Sequence, residues 1–302
     1  MLVAISGGSG LIGRALARKL LEQGRRVVVL SRRPEGVRNL PSGAQVEGWD
    51  TRSVEELVPI LDAADAFVHL AGENIGAGRW TSERKRRIRS SRVDSTLALA
   101  RAFESTASPP KVLVQGSAVG FYGARGPEPL AETASAGDGF LAAVCSQWEE
   151  AGATVSALGV RRVIARTGVV FASRDGALPR ILLPFKLLAG GPVGSGDQVL
   201  SWIHLDDQVG AMAHLLDDEG AEGAFNLTAP GAVTNRELAR VIGRVLRRPA
   251  FFPTPGFALR VLLGEMSTLV LDGQRAIPAR LLERSYDFRF SEVEAALRDL
   301  TA

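Results

Sequence analysis

Three glycines of a short turn near the start of the chain have a spacing that suits a pyrophosphate. An apolar segment, Leu2–Ser6, leads directly into this turn, and an amphipathic segment follows it. In such a turn the first glycine permits a tight bend, the second lets the backbone approach the phosphates, and the third lets helix and strand pack closely. The free N–H groups of the helix N-terminus then face the anion. The sequence therefore predicts a dinucleotide-binding turn made of Gly7, Gly10, Leu11, Ile12 and Gly13.

Two arginines follow the second apolar segment, where the adenosine ribose of a bound dinucleotide is expected. Val27–Leu30 is a β-branched run typical of a buried parallel strand, and Ser31, Arg32 and Arg33 come directly after it. An NAD-binding protein usually carries an acidic residue here, which binds the ribose hydroxyls. No carboxylate stands between the end of this strand and Glu35, and arginine binds a 2′-phosphate through charge-assisted hydrogen bonds. The pattern predicts NADP(H) as the cofactor; the alternative is a pair of solvated loop arginines.

Strand and helix patterns alternate along most of the chain, which predicts a Rossmann-type α/β fold. In such a doubly wound parallel sheet, ligands bind outside the carboxyl ends of the strands. We predict a cofactor-binding domain at 1–228, with a substrate-side insertion at about 171–196, and a smaller substrate-side C-terminal domain at 229–302. The later strands are predicted at 45–50, 66–72, 111–115 and 223–227, and the later helices at 54–61, 81–105, 140–149 and 235–246.

Two of these strands end in residues that we expect beside the cofactor. Asp50 closes the third strand and could reach the adenine edge, although an ordinary loop aspartate would need no such role. The fourth strand ends in small residues, because a larger side chain would obstruct the ribose. His69 is expected to pack within that strand rather than to act in catalysis. The predicted cofactor contacts at the end of the fourth strand are Leu70, Ala71, Gly72 and Glu73.

Composition and charge favour an ordinary globular protein. The 302 residues carry a formal net charge of +3, and 46% of them are hydrophobic. The one concentrated basic run, Arg84–Arg87, is expected on a solvated helix, so we predict no nucleic-acid partner. No apolar segment has the length of a membrane span, and a lone cysteine, Cys145, agrees with a reducing compartment. We expect a cytoplasmic monomer or homodimer that takes a small-molecule substrate and binds no metal.

The chain resembles the extended short-chain dehydrogenase/reductase superfamily, which contains nucleotide-sugar epimerases and dehydratases. Besides the glycine turn, the resemblance lies in Gly116–Gly123, Arg166–Val170 and Trp202–Asp207. It implies that Ser117 is the catalytic serine that follows the fifth strand. It also implies that Arg166 and Gly168 line the nicotinamide and the substrate. The similarity is greatest to a subgroup of epimerase-like, NADP-dependent oxidoreductases with an extra C-terminal domain, on the evidence of Gly72–Ile75, Arg79–Trp80 and Phe252–Gly256.

The catalytic pair of this superfamily is missing from the chain. Its members use a tyrosine, which exchanges a proton with the substrate oxygen, and a lysine four residues later, which lowers the tyrosine pKa and holds the ribose. The two tyrosines here, Tyr122 and Tyr286, have no lysine at that spacing. If Glu149 is aligned with the superfamily's helix, Leu141 replaces the tyrosine and Cys145 replaces the lysine. Neither residue can act as an equivalent acid.

Three interpretations remain, and we prefer the first. In the first, the protein is an NADP(H)-dependent oxidoreductase that transfers a hydride to or from a small carbonyl or alcohol compound, with Ser117 and Tyr122 as catalytic residues. For Tyr122 a purely structural role, in which its aromatic ring packs the mouth of the cleft, agrees with the sequence nearly as well as a catalytic role. Alternatively, the protein binds NADP(H) as a sensor or scaffold without turnover, or it is a nucleotide-sugar epimerase. Further candidates for substrate contacts are Arg89, Arg92 and Lys186.

Overall fold

A parallel sheet forms the centre of the protein, as the alternating sequence patterns predict. The computed structural model describes residues 1–302. Its main sheet consists of seven strands, which are β1 (Leu2–Ser6), β2 (Arg26–Ser31), β3 (Gln45–Gly48), β4 (Ala66–His69), β5 (Val112–Ala118), β7 (Arg161–Thr167) and β11 (Gly223–Leu227). They join in the order β11-β7-β5-β4-β1-β2-β3, and every neighbouring pair is parallel. The prediction of a Rossmann-type doubly wound sheet is confirmed.

Helices cover both faces of this sheet. On one face lie α1 (Leu11–Glu22) and α7 (Leu205–Asp217), whose apolar side chains share a core with Ile5 and Val29. The other face is covered by α2 (Val58–Ala63), α3 (Ser82–Ser105), α4 (Phe140–Ala151) and α5 (Ala153–Ala157). There Leu99 of α3 packs in one cluster with Ala4 and Leu113. Burial on both faces explains why the strands are apolar runs rather than alternating ones.

The remaining elements are short. Three pairs of strands lie outside the main sheet, namely β6 (Gly126–Leu130) with β13 (Gln274–Ala276), β8 (Val169–Phe171) with β10 (Trp202–His204), and β9 (Val199–Leu200) with β12 (Val233–Thr234). The other helices are α6 (Leu178–Lys186), α8 (Asn235–Leu246), α9 (Gly256–Leu263), α10 (Thr268–Leu271), α11 (Ala279–Glu283) and α12 (Val293–Thr301). Short 3-10 helices occur at Pro34–Gly36, Val119–Tyr122 and Gly264–Ser267. None of the helices combines the length and the apolar content needed to cross a membrane.

A third apolar core joins the middle of the chain to its C-terminal part. Phe171 and Phe185, which precede residue 228, belong to the same buried cluster as Ile242 and Leu297. A capping box starts α8, because the Thr234 hydroxyl and the Glu237 carboxylate each bind the other's backbone N–H. Residues on both sides of the predicted boundary at 228 therefore share one core.

Several predicted boundaries differ from those observed. The helix predicted at 54–61 begins only at Val58, because Pro59 in its first turn favours a start at that point. The third strand stops at Gly48 rather than at residue 50. β5 continues to Ala118, so Ser117 lies within the strand instead of after it. The long helix begins as predicted, with the Thr81 hydroxyl accepting from the N–H of Arg84 at 3.2 Å.

Candidate functional site

The glycine turn lies at the carboxyl edge of the sheet, between β1 and α1. Gly7 has a φ of +70°, and a Cβ there would lie 2.6 Å from the carbonyl carbon and oxygen of Leu70. A Cβ on Gly13 would lie 2.5 Å from the Cα of Gly8. The N–H of Gly10 donates to the carbonyl of Gly7 at 3.0 Å. Only glycine fits at positions 7 and 13, and the backbone there forms a compact cradle.

The N-terminus of α1 carries no group that would compete with an anion. No side chain caps it at Gly10, and its first turn contains no acidic residue. Its first N–H groups therefore have no partner within the helix, and the positive end of the helix dipole points the same way. This arrangement suits the pyrophosphate of a dinucleotide. The cradle and the helix end together fit the cofactor that the sequence predicts.

Arg32 and Arg33 lie beside this cradle. In the register of β1 and β2, Ser6 is opposite Leu30, so the three residues after Leu30 are placed next to the glycine turn. The Ser31 hydroxyl accepts from the N–H of Arg33 at 3.1 Å, which shapes the turn. Both arginines are exposed, and no ion pair involves either guanidinium. Their positive charge is available to a phosphate group.

Two of the predicted cofactor contacts have their carboxylates engaged elsewhere. The Glu73 carboxylate lies 3.0 Å from Nη1 of Arg84 and 3.6 Å from Nε of Arg87. The Asp50 carboxylate accepts from the N–H groups of Arg52 and Ser53, both at 2.7 Å, and these bonds hold its pKa below the usual value. Both carboxylates are engaged in these bonds, and a cofactor contact by Asp50 or Glu73 stays a prediction. Glu73 ties β4 to α3, and Asp50 closes a local turn.

Leu70, Ala71 and Gly72 continue β4 toward the cradle. The N–H of Leu70 donates to the carbonyl of Ser6 at 3.0 Å, and Ala71 is almost buried. His69, the last residue of β4, is fully buried, with its ring nitrogens 2.6 Å from the Ser6 hydroxyl and 3.2 Å from the Ser95 hydroxyl. The predicted packing role of His69 is confirmed.

A buried polar network lies where the sequence predicts catalytic residues. The Ser117 hydroxyl donates to Oε1 of Glu149 at 2.6 Å. Both carboxylate oxygens of Glu149 accept from Arg166, each at 2.9 Å. Arg166 also donates to the Tyr122 hydroxyl at 3.0 Å, and that hydroxyl donates to Oδ1 of Asn226 at 2.7 Å. The chain of bonds thus connects β5, α4, β7, a 3-10 helix and β11.

Tyr122 and Arg166 are both buried in this network, so their predicted roles at the site stay predictions. Tyr122 is 0% exposed because the 3-10 helix at Val119–Tyr122 turns its side chain inward. Burial raises its pKa, although the neighbouring Arg166 opposes that rise. The Arg166 guanidinium lies 3.6 Å from the ring centre of Phe121 and is nearly buried. Neither side chain faces an open cleft, and Ser117 is only 4% exposed.

Cys145 lies on α4 in the position aligned with the missing lysine. It is almost fully buried, and a Cβ on Gly120 would lie 3.8 Å from its sulfur and 3.4 Å from the Cβ of Leu141. Burial raises the pKa of the thiol to about 12, so it is neutral near pH 7 and fills a small apolar space.

Sequence reasoning missed two members of the network. Glu132 accepts from the N–H of Asn226 at 3.0 Å, and Asn226 also donates to the carbonyls of Leu130 and Ile277. These residues belong to segments far apart in the chain. No local sequence motif indicates their role, because only the tertiary structure brings them together.

The strand order and the glycine cradle place the molecule in the class of Rossmann-type α/β proteins. The model of the NAD dependent epimerase/dehydratase family matches residues 3–228, and a domain of unknown function (DUF1731) matches residues 254–300. The chain therefore belongs to the NAD-dependent epimerase/dehydratase family.

Relatives of similar length support this assignment. The epimerase family protein YfhF of Bacillus subtilis is 38% identical over 100% of this chain and 98% of its own length. The crystal structure of human epimerase family protein SDR39U1 (isoform 2) with NADPH is 34% identical, covers 99% of both chains and superposes with a TM-score of 0.88. UDP-N-acetylglucosamine 4-epimerase from Bacillus cereus covers 99% of this chain and 98% of its own at a TM-score of 0.78. Its identity of 16% shows a shared fold alone.

Proposed function

We propose that this protein is an NADP(H)-dependent oxidoreductase that acts on a small carbonyl or alcohol compound. The observation that carries the proposal is a glycine cradle at the N-terminus of α1 with two exposed, unpaired arginines beside it. A relative that is 34% identical was crystallised with NADPH, which supports the same cofactor here.

The two phosphate-bearing parts of the cofactor have matching groups in the chain. The cradle and the free N–H groups of α1 would hold the pyrophosphate, and Arg32 with Arg33 would hold the 2′-phosphate. When bound, NADPH supplies a hydride to a carbonyl carbon. Because Tyr122 is closed off, we propose that water supplies the proton to the carbonyl oxygen and that Ser117, after a small rotation, orients that oxygen. Gly168 remains a proposed contact at this end of the site.

One observation favours the second candidate, a sensor or scaffold that binds NADP(H) without turnover. The positions aligned with the superfamily's acid and cation hold Leu141 and the buried, neutral thiol of Cys145. A nucleotide-sugar epimerase is less well supported, because epimerisation needs a group that removes a proton and then returns it. Tyr122 cannot exchange a proton with a ligand while its hydroxyl is bonded between Arg166 and Asn226.

Cofactor preference tests the proposal directly. NADPH should bind more tightly than NADH. The double change Arg32→Ala with Arg33→Ala should weaken NADPH by about 10-fold to 100-fold, because charged hydrogen bonds to the phosphate are lost. NADH affinity should stay nearly constant. Arg26→Ala is the matched control, since Arg26 is exposed at the other end of β2. Equal affinities of the wild type for the two cofactors would refute the assignment.

Turnover separates the two candidate functions. Multiple-turnover oxidation of NADPH, followed by its absorbance in the presence of a panel of aldehydes and ketones, would support the oxidoreductase. Tight binding of NADPH with no oxidation across the panel would favour the sensor or scaffold.

A further inference from the structure

Arg92 on α3 holds a positive charge beside the end of β4. A Cβ on Gly72 would lie 3.1 Å from Cζ of Arg92, so the guanidinium covers this glycine. Its Nη1 donates to the carbonyl of Ile88 and its Nη2 to the carbonyl of Glu73, both at 3.1 Å. Its Cζ also lies 5.2 Å from the ring centre of Trp148. The side chain is half-buried and held in one orientation by these contacts.

No carboxylate forms an ion pair with this guanidinium. The Glu73 carboxylate pairs with Arg84 and Arg87, and the hydrogen bond between Glu73 and Arg92 is made by the Glu73 carbonyl oxygen. Burial lowers the pKa of Arg92, but an arginine stays protonated in a protein. A half-buried charge without a direct ion-pair partner is costly. A ligand with acceptor groups at the end of β4 would give the remaining N–H groups of Arg92 further partners.

The topology of the sheet indicates which half of a bound dinucleotide would lie next to Arg92. The glycine cradle lies at the end of β1, and Arg32 with Arg33 lies at the end of β2, toward β3. A dinucleotide held by these two groups must direct its other half the opposite way, over the ends of β4 and β5. Arg92 lies on that side, at Gly72 directly after β4.

The neighbouring helix offers no alternative cation. α4 packs against α3, and its sequence from Phe140 to Ala151 contains neither lysine nor arginine. Cys145 of that helix lies close enough for the charge of Arg92 to act on its thiol. A polar ligand that reaches this end of the cleft therefore meets the guanidinium of Arg92 and the apolar surface of α4.

We propose that Arg92 binds the nicotinamide half of NADP(H), with its free N–H groups donating to the ribose hydroxyls. This inference rests on the proposed function, since it assumes that the dinucleotide occupies the cradle. It makes Arg92 a positioning residue for the nicotinamide ring, in a place where α4 provides no cation.

Two ligands distinguish this role from general cofactor binding. NADPH contains both halves, whereas adenosine 2′,5′-bisphosphate contains only the adenosine half with its 2′-phosphate. Arg92→Met should weaken NADPH by about 10-fold to 100-fold and leave the bisphosphate unchanged in calorimetric titrations. Arg92→Lys should recover part of the NADPH affinity. The matched control is Arg101→Met, because Arg101 is an exposed arginine of the same helix.

The outcomes separate the two proposals. If Arg92→Met binds NADPH as tightly as the wild type, or loses affinity for both ligands equally, the role of Arg92 is refuted. If the wild type binds neither ligand, the proposed function itself fails. Thermal melting of each variant without ligand checks that the fold is kept. Should Arg92→Met melt far below the wild type, Arg92→Lys is compared with Arg101→Met instead. A ribose contact requires Arg92→Lys to weaken NADPH binding and to leave the bisphosphate unchanged, while Arg101→Met changes neither.

Discussion

At the scale of single residues, burial decides which polar groups can react. Glu149 and Arg166 form a two-point ion pair with both partners nearly buried. Breaking such a pair from one side typically destabilises a protein by about 3–5 kcal/mol. The hydroxyls of Ser117 and Tyr122 are bound into the same network. This region holds β5, β7 and α4 together, which explains why it contains so many polar residues near a cleft.

Replacing Tyr122 tests this structural role. Tyr122→Phe removes a hydroxyl that bonds to Asn226 at 2.7 Å and to Arg166 at 3.0 Å. Because both partners are left buried without it, the free energy of unfolding should fall by about 1–3 kcal/mol in urea denaturation. NADPH affinity should be unchanged. The control is Tyr286→Phe, which loses a hydroxyl bonded to Asp207 outside this network. A variant that keeps its stability but loses turnover would return Tyr122 to the catalytic role that the sequence predicts.

The outcome for individual residues follows from how local each signal is. The glycine spacing and the absence of an acid directly after β2 are local patterns, so both can be recognised in the sequence alone. The engagement of Tyr122, Arg166 and Glu73 depends on partners up to 104 positions away. No spacing rule predicts those partners, because they come from segments that only the tertiary structure brings together.

At the scale of elements, the turn between β1 and α1 depends on close backbone packing as well as on conformation. Gly7 and Gly24 both have positive φ angles, +70° and +76°. A Cβ on Gly7 would collide with the backbone of Leu70 and Ala71, whereas nothing lies within 4 Å of a Cβ on Gly24. These two glycines therefore allow strain and collision to be measured separately.

The change Gly24→Ala should cost about 1–2 kcal/mol in unfolding free energy, from backbone strain alone, and leave NADPH binding intact. Gly7→Ala should destabilise the protein further and abolish NADPH binding, because β4 must move away from the turn. Chemical denaturation and fluorescence titration of NADPH measure the two effects. Equal stability losses and intact binding in both variants would show that the turn tolerates a side chain.

Element prediction succeeds where periodicity is strong and fails where it is not. The strands of the main sheet are apolar runs, and α3 and α8 carry clear caps, so their positions follow from the sequence. The three pairs of short strands outside the sheet have two to five residues each. Their pairing joins distant segments such as Gly126–Leu130 and Gln274–Ala276, and so short a run carries no periodic signal.

At the scale of the whole molecule, stability should depend on pH through a buried histidine. Burial lowers the pKa of His69 from 6.5 to about 3. The unfolded chain therefore binds a proton below about pH 6.5, while the folded protein does not do so until about pH 3. As the pH is lowered from about 6.5 to about 3, the free energy of unfolding should therefore fall. This residue contributes at most about 1.4 kcal/mol per pH unit.

Comparing His69→Gln with the wild type isolates this contribution. The glutamine can keep hydrogen bonds to Ser6 or Ser95 and does not titrate, so the slope of stability against pH between about 4.5 and 6.5 should become shallower. His204, whose pKa burial also lowers, adds a slope of the same sign in both proteins. Urea denaturation at several pH values provides the measurement. Parallel curves for the two proteins would contradict the prediction.

The apolar core shared by the middle and the C-terminal part of the chain has a consequence for synthesis on the ribosome. Phe171 and Leu297 belong to the same apolar cluster, although roughly 130 residues must be made between them. At about 5–20 residues per second, a ribosome needs on the order of ten seconds to add that stretch. Throughout this interval the apolar side chains of α6 and β8 lack the C-terminal helices that cover them in the folded protein. We therefore expect the nascent chain to be most prone to aggregation late in its synthesis, after the strands of the main sheet have already been made.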